Sequence, residues 1–430
     1  MNSIDKYFAI TKNGSTIKTE TLAGITTFLA MSYIIFVNPS ILANAGMDKS
    51  AVFVATCLAA AFGSALMGIF ANYPIALAPG MALNTYFTYG VVLGSGFSWQ
   101  VALGAVFISG ILFLILSILP IREYLINSIP NSIKIAIVAG IGLFLGVIGL
   151  KNAGIISGEP KSLTLENLKQ PSTLLAISGF FLIVILDRFK IVGGIIISII
   201  LISTISIFMG LSEFTGMFAM PPSIAPVFLK MDIAGALDVG LVTIVFAFLF
   251  VDLFDNTGTL IAIAHRAGFM NKTGRLPRIG RVLIADSAAA IASATLGTST
   301  TTNYLESSIG VKMGGKTGLM AVVVAILFIA ALFISPLMQS IPQFATAPAI
   351  IYISCLMTKA LLDIDRKDPT EYAPAIITTI AMPVTFSIAD GISLGFISYT
   401  AIKIVTGRHR DLNPAVIILT LIFLSKSVFM

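Results

Sequence analysis

Residues 78–87 read Ala78-Pro79-Gly80-Met81-Ala82-Leu83-Asn84-Thr85-Tyr86-Phe87, a helix-breaking Pro-Gly pair that opens an apolar run over 82–94. At 1.5 Å per residue such a run is too short to cross about 30 Å of hydrocarbon as a helix. A second stretch has the same character: Gly297-Thr298-Ser299-Thr300-Thr301-Thr302 leads into a short run over 304–312. Both runs read as half-helices. Broken helices at membrane depth are tolerated only where they are enclosed by protein or line a cavity, and paired ones in corresponding places point to a transporter's binding site.

The rest of the chain supplies the membrane. Its 430 residues are 57% hydrophobic and only 11% charged, with a mean hydropathy of +0.99. A soluble domain carries about 25% charged residues, and the long continuous apolar runs exclude a β-barrel. Fourteen runs lie between residues 21 and 406, each half-helix third in a set of seven. Runs six and seven form a hairpin through Asp187-Arg188, matched by runs thirteen and fourteen through Ala389-Asp390-Gly391. Seven is odd, so the second set enters the membrane from the opposite side. The expected fold is therefore an all-α polytopic membrane protein of 14 transmembrane segments, arranged as 7+7 inverted repeats with discontinuous spans 3 and 10. Whether a fifteenth run at 413–429 crosses or lies along the membrane is left open.

Basic residues fix an expected orientation. With the N-terminus cytoplasmic, twenty of the 26 Lys and Arg residues fall on inner segments, among them Lys6, Arg188, Arg278 and Lys403, in keeping with the positive-inside tendency. The net charge of +6 thus describes membrane orientation, and no nucleic-acid partner follows from it. Cys57 and Cys355 sit in apolar runs and are expected to be buried free thiols. His265 and His409, the only histidines, flank arginines outside the apolar runs, so neither a metal site nor a cofactor is expected. Residues 1–20 lack the apolar core of a signal peptide and are expected to stay attached.

Ionisable groups at membrane depth mark sites by default. Run eight carries Asp252, Asp255, Asn256 and Thr259 at i, i+3, i+4 and i+7, which is one face of a helix. A plain polar stripe toward a neighbouring helix has the same pattern. The second concentration is Asn303-Tyr304-Leu305-Glu306, where the threonine-rich break meets the tenth run. Its spacing also fits a capping box, with Glu306 complementing its own helix N-terminus. Asn84 holds the corresponding place in the first half, while Tyr86, Phe87 and Tyr304 could supply flat walls or ordinary core packing. Asp286 reads as a helix–helix hydrogen-bonding group. No Lys or Arg falls in the middle of runs one, three, eight or ten. Ionised carboxylates accept only, so a flat heterocycle with amide or amine edges suits these residues better than an anion. Asp252 and Asp255 are close enough in sequence to titrate as a coupled pair able to carry a proton.

Four ordered motifs carry a family resemblance: Thr21 to Pro39, Ala78 to Phe87, Phe250 to Thr259 and Thr298 to Ser307. Together they resemble the AzgA-like purine permeases, the guanine, hypoxanthine and adenine branch of the nucleobase/ascorbate transporter superfamily, from the N-terminus to about residue 411. The resemblance implies a core domain of spans 1–4 and 8–11 (21–120 and 239–338). It also implies a gate domain of spans 5–7 and 12–14 (121–210 and 339–406), with a linker at 211–238 and a membrane-associated segment at 407–430. Spans 3 and 10 would each be preceded by a short strand, with the purine between the two domains. By position, Asp252 and Glu306 would hydrogen-bond the base from opposite sides and Asn84 would be the span-three amide. Asp255 would serve proton coupling or site architecture; the residues' own placement adds Tyr304 and Tyr86 as candidate substrate-binding residues, and Asn256 and Thr259 beside Asp255 on its helix face. Asn256 and Asn303 stand where other members often have threonine.

The leading expectation is a proton-coupled importer of adenine, guanine or hypoxanthine in the cell membrane, working by alternating access. Sodium as the coupling ion and a homodimer formed through the gate domain both stay open, and lipid is the surrounding partner. The same fold carrying uracil, xanthine or an anion is the alternative. An intramembrane aspartyl hydrolase is remote, because Asp252 and Asp255 share one helix and the Gly-x-Gly-Asp signature is absent.

Overall fold

The computed structural model describes residues 3–119, 128–158, 163–166, 168–237, 242–267, 278–365 and 367–429, without the side chains at 242–243, 254–255, 257–258, 261–262, 264–267 and 425–429. Nine helices among the described residues are long and apolar enough to cross a membrane, and three shorter apolar helices join them. Span 1 is broken into Ile17–Met31 and Ile34–Ala43, with Ser32 and Tyr33 between them. Span 2 runs Lys49–Leu66 and ends in a π-turn at Met67–Ala71. Span 3 starts only at Met81–Thr85 and continues as a wide turn, Tyr86–Val92. Spans 4 to 7 are Trp99–Ile118, Asn131–Asn152, Pro171–Arg188 and Gly194–Phe208.

The second set follows the same plan. Span 8 is Val242–Ala267, span 9 Ile279–Leu296, and span 10 the single short helix Ser307–Lys312. Spans 11 to 14 begin at Gly318–Ala331, Gln343–Thr358, Pro369–Thr385 and Ile388–Val405, and Pro414–Phe429 packs against span 14. Both half-helices stand where the Pro-Gly and threonine-rich breaks predict them.

Two short strands fill the gaps that the half-helices leave. β1, Leu77–Pro79, pairs antiparallel with a partner strand at Thr301–Asn303, Ala78 lying opposite Thr302. Backbone groups freed from helical bonding are thereby satisfied without water. Antiparallel pairing of equivalent strands is what an inverted repeat requires, and helix packing obeys the same symmetry. Span 2 packs on span 11 and span 9 on span 4; span 1 packs on 11 and span 8 on 4; span 5 packs on 13 and span 12 on 6. Advancing each span by seven turns every one of these pairs into another. The fold is the 7+7 inverted repeat.

Close helix contact is bought with glycine where spans 2 and 11 meet. A Cβ on Gly318 would run into the Gly68 carbonyl oxygen. The N-terminus of span 11 is also held there by side chains: Glu20, fully buried, accepts from the backbone N–H of Lys316 at 2.9 Å, and Asn72 Oδ1 accepts from Gly318 at 2.7 Å. A carboxylate at a helix N-terminus complements the helix dipole. Gly318→Ala is expected to push the two spans apart and cost about 1–3 kcal/mol, as overpacking does. Gly280→Ala, which has open space around it, is the matched control. Melting temperature in detergent should fall for the first alone.

One expectation needs correction. Cys57 is buried as expected, whereas Cys355 is exposed. In a bilayer the outside of a helix is apolar too, so position in an apolar run does not imply burial. Lys403, counted with the cations of an inner segment, is 2% exposed and pairs with Glu371 at 2.8 Å. Glu371 also accepts from Ser132 and from Tyr399, tying span 5 to spans 13 and 14.

Candidate functional site

The break after Thr301–Asn303 places Asn303, Tyr304 and Glu306 along one wall of a cavity of about 250 Å³. Tyr33, in the break of span 1, Met81 and Ala82 at the start of span 3, and Thr259 of span 8 complete that side. Val138 of span 5 and Ile353, Leu356 and Met357 of span 12 close the other. Small-ligand sites have this composition, mostly apolar with a few convergent polar groups. None of the described lining residues is basic.

Glu306 is the carboxylate of this wall. It stands just ahead of the short helix Ser307–Lys312 without capping it through its side chain. Instead its Oε1 accepts a hydrogen bond from the Tyr33 hydroxyl at 2.8 Å. The capping-box reading is therefore not realised, because Tyr33 and Asn256 offer tertiary partners to both of its residues. Tyr304 is buried, donates to the Pro79 carbonyl at 2.7 Å, and turns its ring to within 6.4 Å of the Tyr33 ring.

Behind the wall, span 8 supplies a chain of amides. Asn256 Nδ2 donates to Asp252 Oδ1 at 2.6 Å, while Asn256 Oδ1 accepts from the backbone N–H of Asn303 at 2.7 Å and from Asn303 Nδ2 at 3.1 Å. Asp252, 2% exposed, is not among the described residues lining the cavity. It touches the wall through Asn256. Asn84 is likewise buried beneath the wall, its Oδ1 accepting from the Ser299 hydroxyl. Tyr86 packs its ring on Phe248 with centroids 4.9 Å apart. The side chain of Asp255 lies outside the described residues.

Of the residues singled out in the sequence, the structure thus brings Glu306, Tyr304 and Thr259 to the cavity with Asn256 directly behind, and sets Asp252, Asn84 and Tyr86 off its described lining. Sequence reasoning passed over Tyr33 and treated Asn303 only as a cap or a departure from the family pattern. The break at Ser32-Tyr33 leaves no proline or glycine as a signal.

Comparison with known proteins fits this geometry. A protein-family model described as the Permease family (Xan_ur_permease) matches residues 18–394. The chain belongs to this permease family. It is 47% identical over 427 residues to the adenine permease AdeP of Escherichia coli, covering 99% of this chain and 96% of that one. To the guanine/hypoxanthine permease PbuO of Bacillus subtilis it is 42% identical, covering 97% and 98%. Among solved structures, the transmembrane domain of a cyanobacterium bicarbonate transporter, BicA, superposes with a TM-score of 0.65 at 16% identity, covering 85% of this chain and 96% of that one. That likeness concerns fold alone. As a permease the chain is a multi-pass membrane transporter and not an enzyme, which removes the hydrolase alternative.

Proposed function

We propose that this permease imports purine nucleobases, adenine, guanine or hypoxanthine, across the cell membrane by proton symport with alternating access, its N-terminus cytoplasmic. The observation that carries the reading is the acceptor-bearing wall of Glu306 and Asn303 in a cavity with no basic residue among its described lining. Such a wall suits a flat base with N–H edges and opposes an anion. Names of relatives such as AdeP and PbuO support the purine class.

The division of labour we propose is a core of spans 1–4 and 8–11 carrying the polar wall, and a gate of spans 5–7 and 12–14 carrying the apolar one. Rocking one against the other would expose the base to each side in turn. Packing of span 5 on spans 12 and 13, of span 9 on spans 2 and 4, and of span 2 on span 11 supports that partition. Protonation of a carboxylate offsets the cost of carrying it through a closed site, and Asp252, Asp255 and Glu306 are the candidates.

Proteoliposomes holding the purified protein test this directly. Labelled adenine, guanine or hypoxanthine should accumulate, faster with an inward proton gradient, and excess sulfate should not compete. Accumulation that ignores the proton gradient and follows sodium would replace the coupling ion. No accumulation, together with no thermal shift on adding any purine, would remove the purine reading.

A further inference from the structure

The hydrogen bonds behind the cavity wall fix the direction of one amide, and that direction bears on which purine the site selects. A backbone N–H can only donate, so the bond from Asn303 N identifies the atom of Asn256 that receives it as Oδ1. The carboxyl oxygen of Asp252 at the other end receives Asn256 Nδ2. Two independent partners thus orient Asn256, and Asn256 orients Asn303 in turn. An amide has donors on one side and an acceptor on the other. Asn303 must face Asn256 Oδ1 with Nδ2, which leaves its own Oδ1 turned away. That oxygen is buried and has no hydrogen-bond partner among the described residues, although Asn303 lines the cavity. Buried polar atoms without a partner are rare and call for a ligand or water.

We infer that Asn303 Oδ1 is the specificity determinant of this site, accepting a hydrogen bond from an exocyclic amine, so that the permease selects aminopurines over bases lacking that amine. The inference rests on the purine reading above. Glu306 contributes beside it: Tyr33 occupies Oε1, so Oε2 is the oxygen open to a ligand. Two acceptors on one wall match a base edge on which an amine sits beside a ring N–H. Tyr304 adds no donor here because its hydroxyl is committed to Pro79. Guanine carries such an edge, its 2-amino group beside N1–H, and adenine carries an amine at position 6 between ring nitrogens that accept, whereas hypoxanthine and unsubstituted purine carry no amine.

Matched pairs isolate the amine. Guanine and hypoxanthine differ only in the 2-amino group, and adenine and purine only in the 6-amino group. Dissociation constants of all four are measured on the purified full chain and on Asn303→Ala, which keeps the backbone bond to Asn256. Wild type should favour the amine-bearing member of at least one pair about tenfold, the worth of a well-formed hydrogen bond. Asn303→Ala should bring that ratio to about one, whatever it does to the affinity of the amine-free partner itself. If Asn303→Ala does not fold, Asn303→Val, which suits a strand and carries no acceptor, takes its place. A ratio that survives the substitution, or wild-type ratios near one in both pairs, overturns the inference while leaving purine transport standing. Failure of all four bases to bind wild type would instead sink the purine reading, and this inference with it.

Discussion

Glu306→Gln is expected to give a stably inserted protein whose purine uptake has fallen about ten- to a hundredfold, the range of a hydrogen bond to a charged group. The fold should tolerate the change, because glutamine's carbonyl oxygen can still accept from the Tyr33 hydroxyl that Glu306 Oε1 holds. What changes is the other arm. In place of Oε2 the site would present an N–H₂ group, so the N–H of a bound base would meet a donor where it had met an acceptor. The loss should therefore fall on binding and uptake rather than on melting temperature. Initial uptake rates normalised to protein in the membrane decide the matter. A rate within twofold of wild type, at equal abundance, would show that Glu306 does not hold the substrate.

What the sequence made legible is what is local. The breaks at Pro79-Gly80 and at Gly297 to Thr302 announce themselves because proline and glycine interrupt helices wherever they stand, and the odd number of runs then dictates inversion. The i, i+4 spacing of Asp252 and Asn256 put them on one helix face, where the structure joins them by a hydrogen bond. Contacts made at long range left no such mark. Asn303 and Glu306 have the spacing of a cap, yet their partners are Asn256 and Tyr33, 47 and 273 residues away in the chain. A tertiary bond in a dry site outcompetes a local one when the fold brings the partner within reach. Lys403 stands at the end of an apolar run, and nothing near it in the sequence announces its buried pairing with Glu371, 32 positions earlier. The apolar lining of Val138, Ile353, Leu356 and Met357 could not be seen at all, since apolar side chains facing a cavity look like those facing lipid.

The second large effect should come from Asn256→Leu, a substitution of similar size that removes three hydrogen bonds at once. Asp252 would lose an amide donor to its carboxyl oxygen, and Asn303 would lose the acceptor for both its backbone N–H and its Nδ2. Each buried group deprived of its partner costs about 1–3 kcal/mol, and more where charge is involved. Neither neighbour can turn to water, for Asp252 and Asn303 are 2% and 5% exposed. Stability and transport should therefore fall together, with a lower melting temperature in detergent and uptake near background. This double loss separates Asn256 from Glu306, whose substitution should silence uptake alone. An Asn256→Leu protein that melts and transports like wild type would mean that the amide chain does not hold the wall, and that Asn303 is oriented by something else.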